Sequence, residues 1–396
     1  MSLILQIIFW VAVLLMFHSY VLFPLLLKLL AAGKPDNDLV YTRAEKLPDV
    51  YILMAVYNEE RVIRQKIESV LNSNYPLDLI QFHIGSDNST DATNAIVQEY
   101  AAKYPLIKFS PFLQRNGKSA ILNKLQARMY DYEVDEEAVL ILTDANVFFS
   151  PDCIYEMVKH FKNRKIGQVA SNVMNNGERV DGISHQEKGY IQRENLIKYY
   201  EGKIWGAMQG AFGACYAMRA DCLPLIPKNY LMEDFYISMH ILQRGKKAIC
   251  ELKAICYEDV SNEIREEFKR KTRISTGNYQ NLSVYWPLLL KFDGIAFAFF
   301  SHKVIRWMGP FLILSMLLSS AILAVYSPFY LLVLMLLLLF LVSPLIDKAL
   351  KSIGFNIRLL RFVAYFNVMN WALLYGFYKY VQGVQTSAWS PTKRNV

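Results

Sequence analysis

Two long stretches of this chain carry no ionised side chain. Residues 3–27 contain no Asp, Glu, Lys or Arg, and residues 308–346 contain none either. A membrane helix needs about 20 apolar residues. The first stretch therefore makes one span, and the second makes two, broken at Ser327-Pro328. Residues 362–378 are a fourth candidate, shorter and carrying Asn367 and Asn370, either a span or a helix lying in the interface. The first stretch lacks the basic flank and small-residue cleavage site of a signal peptide and is too long for its apolar core, so it reads as an anchor. Neither uncharged run offers the acidic and basic side chains that a transport pathway uses, which argues against transport alone.

The flanking charges orient these spans. Lys28, Lys34, Arg43 and Lys46 follow the first; Lys291, Lys303 and Arg306 precede the second; Lys348, Lys351, Arg358 and Arg361 follow the third. By the positive-inside rule the central region faces the cytoplasm. Lys393 and Arg394 conflict with that orientation if the fourth segment crosses. The formal charge of +8 is thus largely juxtamembrane, where it suits anionic lipid, and no basic helix with interleaved aromatics argues for nucleic acid. The five cysteines form no CxxC pair and read as reduced thiols of a cytosolic domain.

Between the anchors, strand-like and helix-like patterns alternate. "DVYILMAVY" reads as a buried strand, and the next segment spaces Val62, Ile63, Ile67, Val70 and Leu71 as a helix does. "LIQFHIGSDNS", "LIKFSPF" and "AVLILTDAN" are further strands, with helices opening near Thr90-Asp91 and at Ser119. This βαβαβαβ order predicts a mostly parallel, helix-covered sheet whose ligands gather at the strands' carboxyl ends. Asn58 and Glu59 follow the first strand, Asp87 and Asp91 the second, Arg115 and Lys118 the third, and Asp144 and Asn146 the fourth. Each alone is explained by a turn or a helix cap, but four strand ends converge on one edge. No glycine-rich phosphate loop is present, so a phosphate-bearing ligand here needs a cation or basic side chains.

"MAVYNEE", "SDNSTD", "RNGKSAILN", "TDAN", "GAFGACYAMR" and "MEDF" follow one another in an order and spacing that resemble the family 2 glycosyltransferases of the GT-A fold. More narrowly, they resemble the membrane-integrated bacterial branch that includes hyaluronan, cellulose and poly-N-acetylglucosamine synthases. The resemblance covers residues 48–280 and implies an α/β, Rossmann-like nucleotide-sugar domain with flanking transmembrane and interfacial helices. It also implies a nucleotide-sugar donor of the UDP-linked class and Mg²⁺ or Mn²⁺. Ala55, Tyr57 and Glu59 match the segment that holds the base, Asp87 the carboxylate on base or ribose, and Lys118 the basic residue near uridine and diphosphate. Asp144 and Asn146 match the family's DxD metal motif, with an amide in place of the second carboxylate. An Asn carbonyl remains a hard oxygen ligand but carries no charge, so weaker metal binding is expected unless another carboxylate, such as Glu258, contributes.

Asp234 of "MEDF" matches the general base that takes the acceptor hydroxyl's proton, with Glu233 positioning it; the bland reading is acidic residues complementing a helix dipole. Gly213, with Gly210 and Ala214, stands where backbone approaches a sugar or acceptor, or where a turn packs tightly. In "FKRKTRIST", Arg270 and Arg273 match the arginines of a Q/R-x-x-R-W motif and are assigned to the diphosphate or acceptor, while Ile274 replaces the Trp. The expected organisation is an N-terminal membrane helix at 1–31, a catalytic domain at 46–281, interfacial helices at 282–307, two or three spans in 308–384 and a tail at 385–396. The implied protein is an inverting hexosyltransferase of the bacterial inner membrane, multi-pass, with its catalytic domain in the cytoplasm. Its acceptor is lipid-linked or a glycan in cell-surface polysaccharide synthesis. The alternatives are a processive synthase that exports its polymer, with an oligomer or partner subunit, and a non-catalytic nucleotide-sugar binder.

Overall fold

The computed structural model describes residues 2–129, 134–176, 184–259 and 264–384. Tyr130 and the tail 385–396, with Lys393 and Arg394, lie outside the described residues. The chain divides into two units, Leu27–Asn262 with Val384–Val396, and Met1–Leu26 with Glu263–Gly383. It opens on α1 (Ser2–Phe17), which passes through a π-helical turn at His18–Leu22 into α2 (Phe23–Ala31).

The first unit then alternates strands and helices: β1 (Val50–Val56), α3 (Ile63–Leu71), β2 (Ile80–Asp87), α4 (Thr93–Lys103), β3 (Ile107–Phe112), α5 (Lys118–Met129) and β4 (Val139–Thr143). Beyond these come β5 (Val147–Phe149), α6 (Cys153–Val158), β6 (Ile166–Asn176), α7 (Ser184–Trp205), β7 (Cys215–Arg219), α8 (Glu233–Gln243) and β8 (Lys247–Asp259). All eight form one sheet in the order β3-β2-β1-β4-β7-β6-β8-β5. Every residue of β1 is buried, as expected of a strand covered on both faces. Gly85 of β2 lets α5 lie close, since a Cβ there would meet Ile121 at 2.6 Å. That contact sets where α5, and with it Lys118, begins.

The expectation of a mostly parallel sheet holds for β3-β2-β1-β4 and for the β6–β8 pair, and is broken at β7 and β5. β7 runs antiparallel to both β4 and β6, and β5 runs antiparallel to β8, so the sheet is mixed. Strand direction is a long-range property: Thr143 pairs with Cys215 across the whole of α7, and no local pattern in "CYAMR" records it.

The second unit, helical, continues with α9 (Ile264–Tyr285), α10 (Gly294–Ala298), a second π-helical turn (Phe299–Val304), α11 (Ile305–Trp307), α12 (Gly309–Leu323), α13 (Pro328–Ser352) and α14 (Arg358–Val381). Among the described residues two helices are long and apolar enough to cross a membrane, Ser2–Ala31 and Pro328–Ser352. They become three if the pair Gly294–Trp307 and Gly309–Leu323, bent by 62°, counts as one span. Of the span expected just before Ser327, α12 alone has 15 residues, about 22 Å at 1.5 Å per residue against a hydrocarbon core of about 30 Å, so it is long enough only together with the helix Gly294–Trp307. Nor are the uncharged runs free of titratable groups. His18 Nε2 lies 2.9 Å from Ser301 Oγ, and Ser19 Oγ donates to the Ser301 carbonyl at 2.6 Å, so the two π-helical turns meet through polar atoms.

Residues 362–378 lie within α14, which is not among the helices apolar enough to cross. Its asparagines have partners instead. Pro344 inside α13 has no N–H, which leaves the Phe340 carbonyl without its helical donor. Asn367 Nδ2 donates to that carbonyl at 2.6 Å and to Leu341 O at 3.0 Å.

Candidate functional site

The carboxyl ends of β1 and β2 are laced together by side chains. Asn58 and Asn88 both adopt positive φ, 53° and 61°, a conformation Asn tolerates better than most residues. Asn58 accepts from Thr90 N at 2.8 Å, Glu59 N donates to Thr93 Oγ1 at 2.8 Å, and Glu60 N donates to Asp91 Oδ2 at 3.1 Å. The "YNEE" and "SDNSTD" segments thus form one rim. Ala55 and Glu59 are buried in it and Tyr57 is half-buried.

Asp87, fully buried, faces inward from this rim. Its Oδ1 accepts Asn116 N at 2.6 Å, and its Oδ2 accepts Gly117 N at 3.0 Å and Arg115 Nε at 3.2 Å. The Arg115 guanidinium in turn lies 3.2 Å over the Tyr57 ring. Both oxygens of Asp87 therefore hold the turn that leads into α5, whose first residue is Lys118. An ordering role for Asp87 was not legible in "SDNSTD", because its partners lie about thirty residues on.

Lys118 joins the two halves of the site. Its Nζ lies 2.7 Å from Asp144 Oδ1 and 2.6 Å from Glu233 Oε1. Burial opposes its charge, but the two carboxylates overcome that and hold its pKa above the ordinary lysine value. Asp144 and Asn146 occupy a tight turn, closed by Val147 N donating to Asp144 O at 3.3 Å. The turn and the site are thus one feature. Glu258 sits across from Val147 in the β5–β8 pairing.

Glu233 and Asp234 are both buried in the first turn of α8. The Asp234 Oδ1 accepts Phe235 N at 2.7 Å. Burial first, then the neighbouring Glu233 charge, push the Asp234 carboxyl up to about 6 against the pull of Lys118. Gly213 lies against Asp234, and Gly210 has φ +79° with no room for a Cβ beside the Phe235 ring. The backbone of "GAFGACY" therefore closes directly over the start of α8. Arg270 and Arg273 lie on α9 of the helical unit; Arg270 pairs with Glu267 at 3.5 Å, and Arg273 is exposed.

The donor set bears on which cation this site could take. Among the described residues no three His, Cys, Asp or Glu side chains stand together as a metal cluster. Asp144 offers one carboxylate and Asn146 an amide oxygen. Mg²⁺-type ions are commonly held by one or two carboxylates with phosphate and water completing the shell. The residues fit a cation bound together with a diphosphate.

The chain matches the family model "Glycosyl transferase family 2" over residues 51–221 and "Glycosyl transferase family group 2" over residues 139–346. It is 25% identical over 251 residues to a beta-monoglucosyldiacylglycerol synthase of Synechocystis sp., covering 60% of this chain and 50% of that protein. It is 24% identical over 258 residues to a poly-beta-1,6-N-acetyl-D-glucosamine synthase of Staphylococcus epidermidis, covering 63% of this chain and 60% of that one. The matched part thus spans little more than half the length of these relatives. A mannosyltransferase from Pyrobaculum calidifontis, solved with GDP-Man and Mn²⁺, shares the fold with a TM-score of 0.65 at 18% identity, over 94% of this chain and 99% of that one.

Proposed function

The chain belongs to the family 2 glycosyltransferases, and we propose that it moves a sugar from a nucleotide-sugar donor to a lipid-linked or polysaccharide acceptor with inversion at the anomeric carbon. The observation that carries this is the Lys118 bridge between Asp144 and Glu233, which puts a fixed cation between the metal-motif turn and the residue beside Asp234. Asp234 takes the proton of the acceptor hydroxyl as its oxygen attacks the anomeric carbon, and the nucleoside diphosphate leaves. Lys118 stabilises the charge that develops on the departing diphosphate. Asp144 and Asn146 are the residues that would hold Mg²⁺ or Mn²⁺, which supplies further positive charge to that group when bound. Ala55, Tyr57 and Glu59 form the rim that takes the base, and Asp87 orders the turn behind it. Among the described residues the other two carboxylates of the site, Asp144 and Glu233, are both held by Lys118, which favours a single displacement with Asp234 as base.

The apolar helices favour a multi-pass protein of the bacterial inner membrane, oriented by its basic flanks with the catalytic domain in the cytoplasm. A diacylglycerol-type lipid acceptor is supported by the name of the Synechocystis relative. Ile274 offers no aromatic face for a sugar ring, which favours adding one sugar, or a few, per encounter. The polymer-forming staphylococcal relative supports the processive alternative. Membranes holding the protein, given radiolabelled UDP-sugars with Mn²⁺, decide between the two by product size. Release of UDP without acceptor-dependent product from any donor would remove the transferase reading.

A further inference from the structure

The apolar stripe of α3 contains a lysine. Val62, Ile63, Ile67 and Val70 face the core, and Lys66, three residues after Ile63, lies on the same face with no exposed surface. Its ammonium donates to Thr143 Oγ1 at 3.0 Å and to the Val147 carbonyl at 2.6 Å, and it lies 3.4 Å from the centre of the Phe149 ring. None of these three partners is a carboxylate. Burying a cation costs several kcal/mol unless its geometry and hydrogen bonds are good, so a lysine here needs a reason. Burial pushes its pKa down to about 8, which leaves it protonated at neutral pH.

Its two hydrogen-bond partners are informative. Thr143 immediately precedes Asp144, and Val147 immediately follows Asn146, so the ammonium grips both ends of the Asp144–Val147 turn from beneath. Thr143 Oγ1 donates onward to Ala214 O at 3.0 Å, and Asp144 N reaches the same carbonyl at 3.2 Å. Ala214 adjoins Gly213, where a Cβ would come within 3.0 Å of Asp234 Oδ2. One buried cation is thereby tied to the turn and, through Thr143, to the backbone over the base. A hydrophobic residue at 66 would fill the space but hold neither end.

We propose that Lys66 is a positioning residue, clamping the Asp144–Val147 turn so that the Asp144 carboxylate and the Asn146 amide point together at a divalent cation. This rests on reading Asp144 and Asn146 as the cation's ligands. The lysine stands behind them and does not touch substrate. Partners bonded to metal ligands themselves are worth about ten- to a hundredfold in metal affinity; Lys66 acts one step further back, through Thr143 and Val147, so its effect lies at or below the lower end of that range.

The test measures Mn²⁺ binding to the full-length protein in detergent with UDP present, by loss of the free-ion EPR signal well below the melting temperature. Lys66→Met is expected to raise the half-saturating Mn²⁺ concentration severalfold, up to about tenfold. Thr143→Val should raise it less, and the double variant no further than Lys66→Met alone. A merely structural lysine would lower the melting temperature without moving this midpoint. A folded Lys66→Met with the wild-type midpoint overturns the clamp. If Lys66→Met does not fold, Thr143→Val decides: a raised midpoint supports the clamp, and an unchanged one overturns it. Asp144→Ala separates the two ideas. If it too leaves the midpoint unchanged, the ligand assignment itself fails; if it abolishes binding while Lys66→Met does nothing, only the clamp fails.

Discussion

Gly213 and Asp234 are in contact: a methyl group on Gly213 would stand 3.0 Å from Asp234 Oδ2. That distance is tighter than side chains ordinarily accept, so Gly213→Ala must push the carboxylate aside by a few tenths of an ångström. The donor-side residues Asp87, Lys118 and Asp144 are left as they are. Gly213→Ala is expected to cut turnover at least about tenfold, since small misplacements of a base are costly, while UDP binding by calorimetry stays within about twofold. Equal losses of binding and turnover would mean that Gly213 serves only the packing of its loop.

The pH profile carries a sign that can be checked. The base proposed here, Asp234, can accept a proton only when ionised, and burial holds its pKa up to about 6, so kcat/KM should fall as pH drops through that value. Glu233 raises that pKa and Lys118 lowers it. Glu233→Gln should therefore move the acid limb to lower pH, and Lys118→Met to higher pH, whatever either does to the maximal rate. Stability runs the other way: a carboxyl raised in the folded state favours folding at pH below its ordinary value near 4 and loses that contribution as pH rises through about 6. Limbs that coincide in all three proteins would assign the titration to another group.

The strand ends were legible because each strand is a short apolar run that stops at a polar cluster, as at Val56-Tyr57 and Thr143-Asp144. What joins them was not. Lys118 meets Glu233 across 115 residues, and Asp87 meets Gly117 across 30. Such pairings depend on the sheet order, and β7 inverts the direction that four parallel strands suggested. Lys66 left a signal, a charge at a core position of an amphipathic helix, that hydrophobic spacing alone passes over. In the helical unit hydropathy found α13 but gave no sign of the bend before α12, which follows from Gly309-Pro310 starting a new helix rather than from apolar content.

Asp87 offers its two oxygens to two backbone N–H groups, the part-buried one of Asn116 and the buried one of Gly117. An Asn there keeps one acceptor and turns an NH₂ donor toward the other N–H, leaving it unsatisfied at a cost of about 1–3 kcal/mol. Asp87→Asn should lower the melting temperature and weaken UDP binding, since Arg115 and Lys118 flank the turn it orders. Turnover at saturating donor should change far less. A variant with wild-type stability but lost UDP binding would instead favour direct contact between Asp87 and the nucleotide.

Within the helical unit, α9 and α14 meet at Gly376. A Cβ there would lie 2.4 Å from the Cβ of Ser275 and 2.7 Å from the Thr272 carbonyl, so the two backbones touch where neither helix has a bulky side chain. Ser275 Oγ donates to Leu373 O at 2.8 Å, and Thr276 Oγ1 donates to Gly376 O at 3.1 Å. The small residues let the two backbones approach, and the two hydroxyls bridge to carbonyls of the facing helix. Gly376→Ala should therefore separate α9 from α14 and destabilise the protein by about 1–3 kcal/mol, the usual cost of overpacking. Ser275→Gly in the same chain removes one of the two clashes but not the carbonyl of Thr272, so it should recover part of the loss. The measurement is thermal unfolding in a mild detergent, followed by tryptophan fluorescence. Gly376→Ala with the wild-type midpoint would mean that the two helices can part at no cost, and that α14 is held instead by its contacts with α12 and α13.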